Sequence, residues 1–125
     1  ILYAPAKIRT FETIEVENFH NTSLHASLTY YIDYEDQRVK NFLMKYRALF
    51  GTEPTQFAFQ GYDVARYFLG LYSKYGEYWN QMIDKSDSNM LQSSFVCRRV
   101  PGGGFTNTGI KRIIYGKDYS IIPVK

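Results

Sequence analysis

Few residues in this chain are spaced for bond chemistry. His20 and His25 stand five apart, with Asn21 and Ser23 between them. Histidine is a common zinc ligand, yet a zinc site takes three or four ligands, and here only Glu15 and Glu17 suggest themselves as additions. The pair reads as solvent-facing loop histidines, and no metal is expected. Cys97 is the single cysteine, so it cannot form an internal bridge. Arg98 and Arg99 would lower a thiol pKa, but no matching base or helix N-terminus accompanies them, and Cys97 reads as a buried strand residue. Gly102-Gly103-Gly104 lacks the lysine and hydroxyl of a phosphate-cradling loop and does not form GxGxxG. These glycines read as a sharp turn anchored by Phe105 and Asn107. With no Ser/His/Asp or Cys/His arrangement and no paired carboxylates, no catalytic residue is assigned. No cofactor is expected either.

Composition narrows the classes further. The 125 residues, 45% of them apolar, suffice for one domain or part of one. The net charge of +3 is spread through Lys7/Arg9, Arg38/Lys40, Arg98/Arg99 and Lys111/Arg112. That scatter is not a phosphate track, and although aromatics interleaved with basic residues would stack bases, their spacing suits packing; no nucleic acid is expected. No apolar run approaches the length of a membrane helix, and no signal-peptide pattern opens the chain.

The elements follow from periodicity and punctuation. Ile1 to Ala4, closed by Pro5, reads as the end of a buried strand, and residues 5 to 25 as a connection with a short helix. Ala26 to Ile32 has strand propensity. Asp33 or Asp36 caps a helix over 37 to 50, whose apolar face is Val39, Phe42, Leu43, Tyr46, Leu49 and Phe50, with Gly51 as C-cap. A second helix over about 59 to 75 presents Tyr62, Ala65, Phe68 or Leu69, and Tyr72, with Gly76 as terminator. Asp63 reads as favouring the positive end of that helix and Tyr62 as core. Tyr78, Trp79, Met82 and Ile83 suggest a further short helix before the polar linker 84 to 89. Leu91 to Cys97 is strand or extended chain, and Gly116-Lys117 turns a terminal hairpin. The order predicts α/β with antiparallel edges.

Three motifs in order carry a resemblance. Tyr30-Tyr31-Ile32-Asp33 is followed by Tyr46, Gly51, Pro54 and Gly61-Tyr62-Asp63, and then by Gly103-Gly104-Phe105-Thr106-Asn107-Thr108-Gly109 and Tyr115-Gly116-Lys117-Asp118-Tyr119. Across nearly the whole chain this resembles the C-terminal portion of type I periplasmic solute-binding proteins, the branch whose founding members bind leucine, isoleucine and valine. The aromatic wording is similar to receptor-like envelope proteins of Bacteroides relatives. The resemblance implies a partial Rossmann-like lobe with a C-terminal β-hairpin, residues 1–125 being a single domain or a fragment of a two-lobe domain that closes on its ligand by hinge motion.

The same resemblance implies non-enzymatic binding of a small polar solute or amino acid, in the periplasm or envelope of a Gram-negative bacterium. It brings the strand leading to the interlobe crossover near the cleft, which makes Tyr30, Tyr31 and Asp33 the ligand-binding candidates. A phenol supplies an apolar wall and a hydrogen-bond group, and Asp33 would attract an amino group; alternation turns one tyrosine inward, and Asp33 also reads as a plain cap or turn residue. Implied partners are the rest of a receptor chain or further copies of this one, with peptidoglycan association through a separate module. The alternative is a cell-wall-associated or assembly module that retains the receptor fold without transport.

Overall fold

The computed structural model describes residues 1–124. Along the chain come β1 (Leu2–Pro5), a 3-10 helix (Ala6–Thr10), α1 (Val16–Asn21), β2 (Leu24–Leu28), α2 (Gln37–Phe50) and α3 (Gln56–Tyr75). A second 3-10 helix (Gly76–Lys85), β3 (Ser88–Asn89), β4 (Ser94–Phe95), β5 (Cys97–Arg99), β6 (Phe105–Asn107), β7 (Lys111–Tyr115) and β8 (Ile121–Val124) complete it. The class is α/β with a mixed sheet. The chain divides into two compact units, one of residues 1–30 with 110–125 and one of residues 31–109.

The first unit is a four-stranded sheet in the order β1-β2-β7-β8. β1 and β2 are parallel, joined through the first 3-10 helix and α1, whereas β2–β7 and β7–β8 are antiparallel. Side chains alternate across a strand with period two. Leu24, Ala26 and Leu28 of β2 and Ile113 and Tyr115 of β7 are accordingly all buried. Phe19 of α1 covers this face, its ring 5.4 Å from that of Tyr115. β8 is the hairpin partner expected from the Gly116-Lys117 turn, and Pro5 and Pro123 sit on the two edge strands, where a missing N–H is tolerated.

Three expectations for this unit are corrected. β1 is an exposed edge, Tyr3 being 75% exposed, because it has a neighbour on one side only. β2 is shorter and earlier than 26 to 32, since its ladder with β7 ends where Leu28 meets Lys111. The histidines do not face solvent from a loop. His20 is buried on α1 and shares a 2.7 Å hydrogen bond between its Nδ1 and the Gly116 carbonyl, while half-buried His25 in β2 lies with its ring 4.8 Å from that of Tyr3.

In the second unit Asp36 caps α2, its Oδ1 accepting the Arg38 N–H at 2.8 Å, and Gly51 ends the helix at φ 65°. A left-handed residue here is natural for glycine, which has no Cβ to clash. α3 starts at Gln56, three residues before expectation, straight after Pro54 and Thr55, and stops at Gly76. Its buried row is Phe59, Asp63, Tyr67 and Leu71, an i, i+4 series that lies opposite the expected Tyr62, Ala65 and Tyr72. Tyr62 is 41% exposed and Asp63 stands two turns inside the helix. On α2 the expected face is correct in direction, but Leu49 and Phe50 at its end are 77% and 64% exposed.

α3 organises two clusters. Near its start Phe59 packs with Val39 and Leu91, and with Ile32, Phe42 and Leu43 around them. Towards its end Tyr67 and Leu71 pack with Ile83, Phe95 and Cys97, the Tyr67 and Phe95 rings stacked at 4.3 Å. Cys97 is thus the buried strand residue expected. Gly102, Gly103 and Gly104 all have positive φ in the loop joining β5 to β6, which accounts for the triplet as a turn. Asn107 braces the same region: its side chain accepts from the N–H groups of Val96 and Gly109 and donates to the Ser94 carbonyl.

Candidate functional site

A carboxylate buried in a helix needs donors, because burying an unpaired charge is costly. Asp63 is fully buried and has three of them, all from the chain between β3 and β4. The Leu91 N–H donates to Oδ1 at 3.0 Å, and those of Gln92 and Ser93 donate to Oδ2 at 2.9 Å each. Within that loop the Met90 N–H donates to the Ser93 carbonyl at 2.9 Å. The turn of Met90 to Ser93 is thereby pinned to α3.

The same loop holds one of the expected site segments. The Tyr31 N–H donates to the Gln92 carbonyl at 2.9 Å. Ile32, next along, enters the cluster of Val39, Phe59 and Leu91. Tyr31 and Asp33 are both half-buried. Asp33 forms the turn before α2: its Oδ1 accepts the Glu35 N–H at 3.0 Å and its carbonyl accepts the Asp36 N–H at 3.0 Å. Asp33 is therefore the turn residue and Asp36 the cap. Tyr30 belongs to the other unit and is 43% exposed.

Sequence reasoning missed Gln92. It is 3% exposed, and its side-chain carbonyl has no hydrogen-bond partner among the described residues. A buried acceptor left unpaired costs about 1–3 kcal/mol, so such a group is normally satisfied by a partner. Nothing in the local sequence marks it, because the burial of Gln92 results from an anchor 29 residues away in the chain.

The surrounding charges are structural pairs. Arg38 clasps Asp36 at 2.7 Å and donates to the Asn89 carbonyl, its guanidinium pushed up in pKa first by the Asp36 hydrogen bond. Lys40 holds the Glu35 carboxyl below its usual value by hydrogen bond and charge, and Arg98 does the same to Asp87. Burial, followed by the neighbouring Cys97 thiol, pushes the Tyr67 phenol up to about 12.

Comparison with protein-family models, curated proteins and solved structures returns no match to this chain. Among the described residues no three His, Cys, Asp or Glu side chains gather as a metal site, and no helix is long and apolar enough to cross a membrane. The arrangement that stands out is a half-buried tyrosine and aspartate on one segment, hydrogen-bonded to a clamped loop that carries a buried, unpaired amide carbonyl.

Proposed function

We propose that this chain is the C-terminal portion of a type I periplasmic solute-binding protein, and that it binds a small polar solute, such as an amino acid, without catalysing a reaction. The ordered motifs from Tyr30 to Tyr119 support this reading, as does a mixed sheet that includes a parallel pair joined through a helix. On this reading the finer fold is a partial Rossmann-like lobe whose sheet ends in the β7–β8 hairpin. The protein would act in the bacterial envelope as part of a receptor whose lobes close around the ligand.

The observation that carries the proposal is the unpaired Gln92 carbonyl. An ammonium or amide N–H of a solute would satisfy it, with the Tyr31 phenol as wall and hydrogen-bond group and Asp33 drawing a cationic group. Native mass spectrometry of the purified chain tests this by reporting any retained small molecule. Retention by the wild type and its loss in Gln92→Leu is the expected result; equal retention by both sinks the assigned site.

One observation favours a second reading, a cell-wall-associated or assembly module that keeps the receptor fold without transport. α3 exposes Phe57, Phe68 and Tyr72 along one side. Aromatic faces also bind polymers and partner proteins. Cosedimentation of the chain with purified peptidoglycan, abolished by Phe57→Ser, is the result that reading expects, and a chain that stays in the supernatant speaks against it.

A further inference from the structure

The sheet of the first unit buries the face that Phe19 of α1 packs on and leaves the other open. The register sets Tyr3, His25, Ile114 and Ile122 side by side across that open face, with Ser27, Arg112 and Val124 in the next row. Tyr3 is 75%, Ile122 49% and Val124 44% exposed. A sheet face that meets water normally carries the polar half of an alternating pattern. The two edge strands do not alternate. β1 reads Leu-Tyr-Ala-Pro and β8 reads Ile-Ile-Pro-Val, apolar on both sides. An unbroken apolar run is the pattern of a strand covered on both faces.

Charge decides which cover fits. Arg112 is exposed in the middle of this face, and no carboxylate pairs with it among the described residues. The strand residues of the face include no Asp or Glu. A purely apolar cover would strand the guanidinium away from water, at a cost. A carboxylate brought by the cover would accept two parallel N–H bonds from it.

A second copy of this chain does not supply that carboxylate. α2 contains no acidic residue, and the one acid of α3, Asp63, is fully buried. Arg66 and Lys74 are exposed on α3 and would meet Arg112 as like charges. Two copies packed sheet to sheet would bring cations together with no anion between them. An extended peptide adds to a sheet edge, here β1, and leaves the face bare. Helices are what α/β layers place on sheet faces. The patch is roughly 14 Å across its three strand spacings, a width that about three turns of helix would span.

We propose that the open face of the β1-β2-β7-β8 sheet docks an acidic amphipathic helix of a partner protein, with apolar residues over Tyr3, Ile114 and Ile122 and a carboxylate on Arg112. The inference depends on neither functional reading, since Tyr31, Asp33 and Gln92 belong to the other unit.

Selection of a displayed library of helical peptides on the full chain tests it. The peptides, of about 15 residues, carry a fixed leucine row with random residues beside it. The wild type is expected to enrich Asp and Glu next to the leucines. The selected peptides should bind Arg112→Glu and Ile122→Ser weaker by about tenfold or more. Selection on Arg112→Glu should enrich Lys and Arg instead. Circular dichroism reports whether the variants fold, and Arg112→Gln, expected to lose the acidic preference, replaces Arg112→Glu if that variant does not. Peptides without acidic enrichment, or peptides that bind Arg112→Glu and Ile122→Ser as well as the wild type, would overturn the proposal. So would a wild-type dimer in sedimentation equilibrium that Ile122→Ser dissociates, which would make a second copy the occupant. Cosedimentation with phosphatidylglycerol vesicles that Arg112→Glu abolishes would assign the face to a membrane and overturn it as well.

Discussion

The carboxylate of Asp63 accepts the backbone N–H of Gln92 at 2.9 Å, joining the middle of α3 to the loop between β3 and β4. The helix stands between two apolar clusters, with Phe59 in one and Tyr67 in the other, and Asp63 lies on the same buried row between them. A charged residue therefore occupies a core position of the second unit. It is tolerated there because three oriented amides replace the water it has lost.

Asp63→Asn keeps the volume but turns an acceptor into a donor facing other donors. At least one of the Leu91, Gln92 and Ser93 N–H groups is left unpaired, at about 1–3 kcal/mol each, and the charge-assisted bonds are lost. Urea unfolding should show a loss of roughly 2–4 kcal/mol. Hydrogen exchange at Leu91, Gln92 and Ser93 should accelerate more than at α2. An unchanged unfolding midpoint would mean that the clamp contributes little.

That clamp was only half legible in the sequence. Asp63 stood out, but beside Gly61 and Tyr62 it read as a residue of the helix start, because propensity does not reveal which i, i+4 row turns inward. The α3 face expected to be buried is strongly apolar, and it is the opposite row that packs. Two apolar sides on one helix leave periodicity without a preference. By contrast, Asp36, Gly51, Gly76 and the Gly116-Lys117 turn were all readable, since caps and turns are fixed by one or two residues. Gln92 and His20 were not, because each is buried by a contact distant in the chain.

Tyr67 makes stability fall at alkaline pH. Its phenol keeps its proton in the folded state to about pH 12, against 10.0 for the ordinary group, with burial as the main cause. The unfolded chain gives up this proton first, so the contribution is complete below pH 10 and is lost as pH rises towards 12. The melting temperature should decline across that window. In Tyr67→Phe, which also gives up the hydrogen bonds to the Ile83 and Ser86 carbonyls, it should start lower and slope less. Parallel slopes for the two proteins would contradict the assignment.

His20 ties α1 to the terminal hairpin of the first unit. Its Nδ1 bonds to the Gly116 carbonyl, and its ring lies 5.0 Å from that of Tyr115 and 5.1 Å from that of Tyr119. His20→Ala removes a hydrogen bond and leaves a gap, so a destabilisation of about 2–3 kcal/mol is expected. Amide exchange should quicken through Gly116 to Ser120 and hardly at all through α3. Uniform quickening over the whole chain would show that the two units unfold as one.

On the proposed function, the segment of Tyr31 and Asp33 and the clamped loop of Gln92 together receive a small polar solute. The most direct measurement is amide chemical-shift mapping of the isotope-labelled chain during titration with a panel of amino acids. Saturable shifts confined to Tyr31, Asp33 and Leu91 to Ser93 are expected with at least one member of the panel, and are expected to be absent in Gln92→Leu. No saturable shift with any of them, or shifts that persist unchanged in Gln92→Leu, would contradict it.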